Sequence, residues 1–366
     1  MINLSIYSSH VPDQWKTAII RPVAKVAHPI GPADYRPISI VPVLSRIVER
    51  EIVQVYIYAS FQSPTMKPLL NDQFAFRPTG STTAAIISIL QQVTTLHDHK
   101  TNAYVTLTAL DFSKAFDTVR HSVLVDKLAQ FEIPDNISYW LSNFLQDRKH
   151  ATRFESQTSE VATINASIVQ GSGVGPAAFD INASDLHPIN PKNKIVKFAD
   201  DTYLLIGAEQ RNTVRAELDG IRTWAERNNL RLNTSKSREM LIPHGGQWRV
   251  SPPPSLDVKR VGSVVILGVT IRDDLRTTSH VDNVLAACSG SLHALRAHGL
   301  PPTALQEVAR ATTITRLLYA APAWWGFANA EDRHRIERFL KKMHRAGYLS
   351  PTTKGIEEII GEAENT

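Results

Sequence analysis

The chain has 366 residues, of which 43% are hydrophobic and 20% charged, a profile that excludes intrinsic disorder and suffices for two or three domains. The 40 Lys and Arg residues against 35 Asp and Glu residues leave a net charge of +5, which permits nucleic-acid binding without requiring it. Cys288 is the single cysteine, so a disulfide framework and a cysteine-rich zinc site are excluded and a reducing compartment is expected. The sequence has no apolar run of about 18 residues and no secretory leader, and therefore predicts neither a membrane span nor secretion.

Hydrophobic periodicity and turn-forming residues predict a mixture of helices and strands in the first two thirds of the chain and helices alone afterwards. The predicted helices are 43–59, 81–98, 121–131, 135–147, 209–228, 278–298, 302–319 and 331–345. The predicted strands are 104–110, 195–199, 202–206, 238–242 and 263–270, with a hairpin across 151–168. A loop rich in Gly and Pro at 244–254 is the clearest predicted linker. This order is typical of an α+β body with a separate helical element.

Asp200 and Asp201 are predicted to lie at the tip of a β-hairpin between two short strands. Two adjacent carboxylates repel by about 4 kcal/mol at about 4 Å when the effective dielectric constant is near 20. A rigid turn normally avoids that repulsion unless a cation offsets it. For an isolated Asp-Asp pair, however, a solvated acidic turn is the more ordinary interpretation.

A second acidic position favours the interpretation that a cation binds at this turn. Asp111 directly follows the predicted buried strand 104–110, where an acid contributes little to stability but can hold a metal ion at the rim of a sheet. Together with Asp200 and Asp201 it gives three carboxylates from two neighbouring strands, a ligand type that suits Mg²⁺. Two such ions can activate a hydroxyl nucleophile and stabilise a leaving pyrophosphate. For Asp111 alone, a helix N-cap is the competing interpretation.

Eight segments extend this pattern along the chain. They are WKTAIIRPVAK, DYRPISIVPVLSRIVER, DQFAFRPTGSTTAAI, LDFSKAFDTVRH, VQGSGVGP, KFADDTYLL, NNLRLNTSKS and ILGVTI. Their order resembles that of reverse transcriptases of non-LTR retrotransposons, in particular the jockey-like group, from about residue 15 to about residue 325. Any one motif could arise by chance, but the full ordered set could not.

The resemblance implies an α+β fold of the right-hand polymerase type, with fingers and palm and a C-terminal α-helical thumb-like region. It implies an N-terminal remnant at 1–17, a reverse transcriptase domain at 18–270, a helical thumb-like region at 271–350 and an acidic tail at 351–366. Full elements of the family carry an endonuclease domain that is missing here, so the chain resembles an isolated polymerase segment. An intracellular location, in the nucleus or the cytoplasm, is expected.

The resemblance also assigns roles around the acidic residues. Asp111, Asp200 and Asp201 would be catalytic and would hold two Mg²⁺ ions, with Mn²⁺ as a substitute, and the Phe112 backbone carbonyl would be a further metal ligand. Phe116 would be the aromatic steric gate that excludes the ribose 2′-hydroxyl, although a core aromatic would occupy the same position.

Five more residues match nucleotide-binding positions of the family. Gln170 and Gly171 resemble the segment that lies against the incoming nucleotide, where glycine permits close backbone approach. Lys25 and Arg36 match basic fingers positions that hold the triphosphate, and Lys236 matches a lysine that protonates departing pyrophosphate. Ordinary solvated charges or loop residues are the alternatives. In this chain Val169 replaces the Pro that usually precedes the Gln, and small residues follow at 177 and 178.

Four basic residues share one face of the last predicted helix through i+3 and i+4 spacing. They are Arg338, Lys341, Lys342 and Arg345. Such a face can follow a nucleic-acid backbone, while a generic solvated face is the alternative.

The sequence therefore predicts an RNA-directed DNA polymerase that uses an RNA template, a DNA primer and deoxynucleoside triphosphates. An RNA-templated RNA polymerase would share the acidic residues, but Phe116 and the long family match argue against it. The non-enzymatic alternative is a catalytically impaired or co-opted reverse-transcriptase-like protein that only binds nucleic acid. The intact acidic trio argues against this alternative.

Overall fold

The computed structural model describes residues 2–99, 101–246, 254–255, 258–297, 301–350, 355, 358 and 360–361. Most of the predicted linker at 244–254 and most of the predicted acidic tail at 351–366 lie outside the described residues.

The helices and strands of the described residues are numbered in chain order. The α-helices are α1 (Ile2–Tyr7), α2 (Asp13–Lys16), α3 (Val43–Ile52), α4 (Tyr58–Phe61), α5 (Thr82–Asp98), α6 (Ala115–Thr118), α7 (His121–Leu128), α8 (Asp135–Leu145), α9 (Gly175–Asn182), α10 (Val214–Arg227), α11 (Thr278–Ala297), α12 (Pro302–Ala309), α13 (Thr315–Leu318), α14 (Ala321–Trp324) and α15 (Ala330–Arg345). The strands are β1 (Thr17–Ala24), β2 (Tyr35–Ile40), β3 (Tyr104–Leu110), β4 (Phe112–Ser113), β5 (Arg148–Phe154), β6 (Gln157–Thr158), β7 (Ala162–Ile164), β8 (Lys194–Phe198), β9 (Asp201–Gly207), β10 (Arg231–Leu232), β11 (Arg238–Pro243), β12 (Lys259–Arg260), β13 (Ser263–Ile266) and β14 (Val269–Arg272).

The chain divides into two compact units, each made of several segments. Unit 1 comprises Met1–Ser81, Leu110–Thr202 and Thr213–Lys236. Unit 2 comprises Thr82–Ala109, Tyr203–Asn212 and Ser237–Thr366. All the residues predicted to bind metal or nucleotide belong to unit 1, and the basic residues of the last helix belong to unit 2.

In unit 1, β1 pairs with β2 in antiparallel fashion and with β5 in parallel fashion, and β6 and β7 add to β5. The segment before β1, predicted as a remnant, is folded into this unit. Val11 and Trp15 are buried, and the Ser5 hydroxyl accepts a hydrogen bond of 3.0 Å from the indole nitrogen of Trp140 on α8.

The helix predicted over 43–59 is present but not uniform. Between α3 and α4 the residues Val53–Ile57 form a π-helical turn, a local widening that often accompanies functional positions. Val48 and Ile52 bury the apolar side of α3, whereas Val43 and Ile47 remain exposed.

In unit 2, the four strands β12, β11, β3 and β9 form a sheet in that order. β3 and β11 are antiparallel from Tyr104↔Pro243 to Ala109↔Arg238. The single strand predicted at 263–270 is wrong, because the structure has a hairpin of β13 and β14 there. Leu267 and Gly268 have φ angles of 46° and 87°, and two successive positive φ values reverse the chain in a tight hairpin turn.

Unit 2 ends in helices α11 to α15, as predicted, although the helix expected over 302–319 contains a π-helical turn at Arg310–Ile314. The side chain of Asn329 caps the N-terminus of α15 by accepting from the Asp332 amide at 2.8 Å. No helix of the described residues is sufficiently long and apolar to cross a membrane.

Candidate active site

The acidic pair lies where β8 ends and β9 begins. Asp200 is in the turn after Phe198, and Asp201 is the first residue of β9. Ala199, which precedes the pair, has a φ of 54° in the left-handed region. Positive φ is uncommon for alanine, so surrounding contacts must hold this residue in the conformation that precedes the two carboxylates.

The three predicted carboxylates interact electrostatically in unit 1. Burial and the charge of Asp111 raise the pKa of Asp200 above its usual value. Burial, together with the charges of Asp200 and Asp111, raises the pKa of Asp201 to about 6. Asp201 remains exposed to solvent, so the surrounding protein removes only part of its hydration. A cation at this position would relieve the mutual repulsion.

The carboxylate oxygens are the donor type that a hard divalent cation prefers, so the residues fit such an ion chemically. Among the described residues, however, no group of three or more His, Cys, Asp or Glu side chains is placed so that it could hold a metal ion. The charge of Asp111 nevertheless acts on both Asp200 and Asp201.

The Phe112 backbone is placed by the short ladder of β4 and β10. Leu232 lies opposite Phe112, and the Asn233 amide donates to the Asp111 carbonyl at 2.8 Å. Hydrogen-bonded and non-hydrogen-bonded pairs alternate in an antiparallel ladder. The Phe112 carbonyl therefore points away from β10, while its ring packs edge-on against Trp224 at 5.8 Å between centroids.

Lys236 follows the same ladder in a compact turn. Its amide donates to the Asn233 carbonyl at 3.2 Å, and the Ser235 hydroxyl donates to Asn233 Oδ1 at 2.7 Å. The Lys236 side chain is exposed. The hydrogen bond from Asn233 to Asp111 thus ties the turn that bears Lys236 to the backbone of the first carboxylate.

Phe116 is half-buried in a group of aromatic side chains. Its ring stacks on that of Phe179, with centroids 4.4 Å apart and planes 19° apart, and meets Phe76 edge-on at 6.3 Å. The residue is nonetheless partly exposed to solvent. Both interpretations of the sequence, a gate and a packed aromatic, are compatible with this position.

The loop with Gln170 and Gly171 is held on both sides. The Gln170 side chain donates to Asp117 Oδ1 at 2.7 Å, and its carbonyl accepts from the Ser39 amide at 2.7 Å. Gly171 has a φ of 113°, and a Cβ there would collide with the Ser39 carbonyl oxygen. Only glycine fits this conformation and this close backbone approach.

The two basic fingers residues differ in placement. Lys25 is exposed at the end of β1, donates to the Ala33 carbonyl at 3.2 Å and lines a cavity of about 540 Å³ that also contains Lys114 and Asp117. Arg36 is exposed on β2 opposite Val23 and is not among the residues that line that cavity. Lys25 and Asp117 therefore share one cavity, and Arg36 lies elsewhere on the same hairpin.

Glu49 of α3 was missed by sequence reasoning. It is fully buried, and its Oε2 accepts from the Gly173 amide at 2.6 Å and from the Val174 amide at 3.3 Å. The Ser45 hydroxyl donates to its Oε1 at 2.5 Å. A buried carboxylate thus satisfies the amides just before α9, and the only sequence signal was an acid on the apolar side of a predicted helix.

The four basic residues predicted to bind nucleic acid lie on α15 in unit 2 and are all exposed. Arg338 forms an ion pair of 2.9 Å with Glu331, and Lys341 lies 4.0 Å from Glu337. Lys342 and Arg345 share the face. The face is therefore solvated and only partly neutralised.

The family model for reverse transcriptase (RNA-dependent DNA polymerase) matches residues 23–271, about two thirds of the chain and all the metal-binding and nucleotide-binding candidates. The chain belongs to the reverse transcriptase family.

The resemblance to non-LTR retrotransposon enzymes drawn from the sequence is confirmed by curated relatives. One is the probable RNA-directed DNA polymerase from transposon X-element of Drosophila melanogaster, 27% identical over 94% of this chain. Another is the RNA-directed DNA polymerase from mobile element jockey of the same species, 26% identical over 76% of this chain.

The chain spans 39% and 31% of the lengths of these two relatives. Among solved structures, this reverse transcriptase-family chain is similar to telomerase from Candida tropicalis in complex with a TWJ fragment of telomeric RNA, with a TM-score of 0.54 and 12% identity. The alignment covers 93% of this chain and 59% of telomerase. The predicted α+β right-hand polymerase fold is confirmed.

Proposed function

We propose that this chain is an RNA-directed DNA polymerase of a non-LTR retrotransposon, which extends a DNA primer on an RNA template with deoxynucleoside triphosphates. The observation that carries the proposal is the match to the reverse transcriptase family across residues 23–271, a range that includes Asp111, Asp200 and Asp201. Burial and the charges of Asp200 and Asp111 raise the pKa of Asp201 to about 6, so its ionised form destabilises the free protein, and folding alone gives no reason for grouping these acids.

Within this proposal, Asp111, Asp200 and Asp201 and the outward-pointing Phe112 carbonyl hold two Mg²⁺ ions, for which Mn²⁺ can substitute. When bound, such ions activate the primer 3′-hydroxyl and stabilise the leaving pyrophosphate. The finer assignment of the ions to Mg²⁺ and of the ligands to these residues is part of the proposal.

The side chains around the acidic turn would bind the nucleotide. Lys25 and Arg36 would attract the triphosphate, and Lys236, tethered beside Asp111, would supply a proton to pyrophosphate. Gln170 and Gly171 would lie along the nucleotide, because the glycine leaves that backbone uncovered. Phe116 would exclude the ribose 2′-hydroxyl with its ring.

The template and primer would lie against basic surfaces that include the face of α15. Arg338, Lys341, Lys342 and Arg345 would neutralise backbone phosphates, and the resulting binding would weaken as salt rises. We further propose that the chain acts inside the cell, in the nucleus or the cytoplasm.

Primer extension tests the proposal directly. The chain is incubated with poly(A), an oligo(dT) primer, dTTP and Mg²⁺, beside Asp200→Asn and the surface control Asp219→Asn. We expect extension by the wild type and by Asp219→Asn, and none by Asp200→Asn, with equal primer–template affinities for all three. Wild-type protein that binds the primer–template but never extends it would instead support a catalytically impaired, nucleic-acid-binding protein.

A further inference from the structure

The segment that contains Gln73 runs beside β8, the strand that leads into the acidic turn. Gln73 and Lys197 form a parallel bridge. The Lys197 amide donates to the Asp72 carbonyl at 2.6 Å, and the Phe74 amide donates to the Lys197 carbonyl at 2.8 Å. Both partners lie in unit 1, so one short fingers segment is bonded to the backbone just before the acidic turn.

The Gln73 side chain extends this contact into the turn itself. It is 1% exposed, and its Oε1 accepts hydrogen bonds of 3.1 Å from the Ala199 amide and 3.1 Å from the Ala75 amide. Its Nε2 has no hydrogen-bond partner among the described residues. The site therefore uses the acceptor of this amide and not its donor.

The residue whose amide donates to Gln73, Ala199, has a strained backbone conformation. Ala199 has a φ of 54°, and the left-handed conformation is unfavourable for a residue with a Cβ because the Cβ comes too close to the following carbonyl oxygen. Such a conformation persists only where the surroundings impose it. Gln73 is the side chain that bonds the amide of this residue, and Asp200 is the next residue in the chain.

The strand before the turn is also fixed through Lys197. This side chain is fully buried and donates to the carbonyls of Ala183 at 2.8 Å and Leu186 at 2.9 Å. Asp72, the neighbour of Gln73, pairs with it at 3.0 Å. Lys197 is thus bonded through both its backbone and its side chain, and two residues later Gln73 bonds the amide of Ala199.

We propose that Gln73 is a positioning residue for the active site, which holds Ala199 in its left-handed conformation and so sets the direction of the Asp200 and Asp201 carboxylates. The inference rests on the proposed function for the role of those carboxylates. Gln73 itself would touch neither metal nor substrate, and its effect would pass through the backbone of one residue.

Gln73→Met removes the acceptor and keeps the side-chain length, and Gln62→Met is an exposed control directly after α4. Amide hydrogen exchange, followed by mass spectrometry on peptides that span 198–202, reports the turn directly. We expect faster exchange there in Gln73→Met, a several-fold higher Mg²⁺ concentration for half-maximal activity, and a kcat lower by roughly tenfold to a hundredfold, as for a misplaced catalytic group. The KM for dTTP should change little.

Adding Ala199→Gly separates positioning from simple packing. Glycine adopts positive φ without strain, so the double variant Gln73→Met/Ala199→Gly should recover most of the lost kcat, whereas a packing defect would not be repaired. Should Gln73→Met fail to fold, Gln73→Glu, which keeps an acceptor at the same length, is compared with Gln73→Leu in the same exchange measurement.

Wild-type exchange at 198–202 together with an unchanged Mg²⁺ requirement in Gln73→Met would overturn the inference. A loss of kcat that Ala199→Gly leaves unrepaired would overturn it as well. Inactivity of the wild-type chain would count against the proposed function alone, because the exchange measurement tests the contact from Gln73 to Ala199 without catalysis.

Discussion

The ring of Phe116 stacks on the ring of Phe179 with centroids 4.4 Å apart, although the two residues come from segments more than sixty positions apart in the sequence. Phe179 is buried on α9 and Phe116 is half-buried after β4. The Phe116 ring is therefore fixed by packing against Phe179, while the residue remains partly exposed.

Phe116→Ala should relax sugar selectivity while deoxynucleotide incorporation persists, because the ring acts by occupying volume. The measurement is the ratio of kcat/KM for dTTP and UTP on one template. The loss in unfolding free energy should be below the about 3–5 kcal/mol typical of a fully buried Phe, since the ring is partly exposed. Phe179→Leu is the control that weakens the stack but leaves the Phe116 ring present, and a ratio unchanged in Phe116→Ala would show a purely structural residue.

Asp201→Asn should stabilise the metal-free protein at neutral pH. The folded pKa of Asp201 is about 6, above its usual 3.8, so the folded state binds the proton more tightly and the ionised carboxyl destabilises it. That destabilisation is absent below pH 3.8 and grows as the pH rises towards about 6. Thermal unfolding should therefore show a higher Tm for the variant at about pH 7.5 and a difference that vanishes towards about pH 4.

Protonation of Asp201 should also compete with the binding of Mg²⁺. Ligands must be deprotonated to bind a cation, so the Mg²⁺ concentration for half-maximal activity should rise as the pH falls below about 6, the pKa of Asp201. Mg²⁺ should also raise the Tm of the wild type more than that of Asp201→Asn. Asp219→Asn, which alters an exposed carboxylate, should follow the wild type in both measurements, and identical behaviour of Asp201→Asn would remove the metal role.

Gly171→Ala should lower both stability and nucleotide affinity. The added Cβ would collide with the Ser39 carbonyl oxygen, and the φ of 113° is unfavourable for alanine. Tm and the KM for dTTP are the quantities to compare. The matched control is Gly326→Ala, where a Cβ meets nothing within 4 Å. Equal effects of the two substitutions would contradict a special role for the 171 backbone.

Glu49→Ala should reduce the unfolding free energy by about 1–3 kcal/mol, because the Gly173 and Val174 amides would be buried without an acceptor. Glu49→Gln keeps an amide oxygen and should lose less. The exposed Glu51 on the same helix provides the control Glu51→Ala. Denaturant titration of the four proteins checks the order, and a Glu49→Ala protein as stable as Glu51→Ala would show that the two hydrogen bonds contribute nothing.

The local features of the fold could be predicted from the sequence because they depend on short-range periodicity. The strand before Asp111, the turn at Asp200 and helices such as α5 and α15 lie where apolar spacing predicts them. The hairpin of β13 and β14 was missed, because positive φ at Leu267 is invisible in a residue type that rarely adopts it.

The sequence by itself determined the order of the motifs, and with it the family, the acidic trio and the predicted fold, because these follow from residue identity and spacing. Only the tertiary structure decided which distant residues support them. Gln73, more than one hundred positions before Ala199, holds the amide of that residue, and buried Glu49 satisfies the amides of the loop before α9. No periodicity encodes such contacts, since a hydrogen bond between remote segments depends on how the whole chain packs.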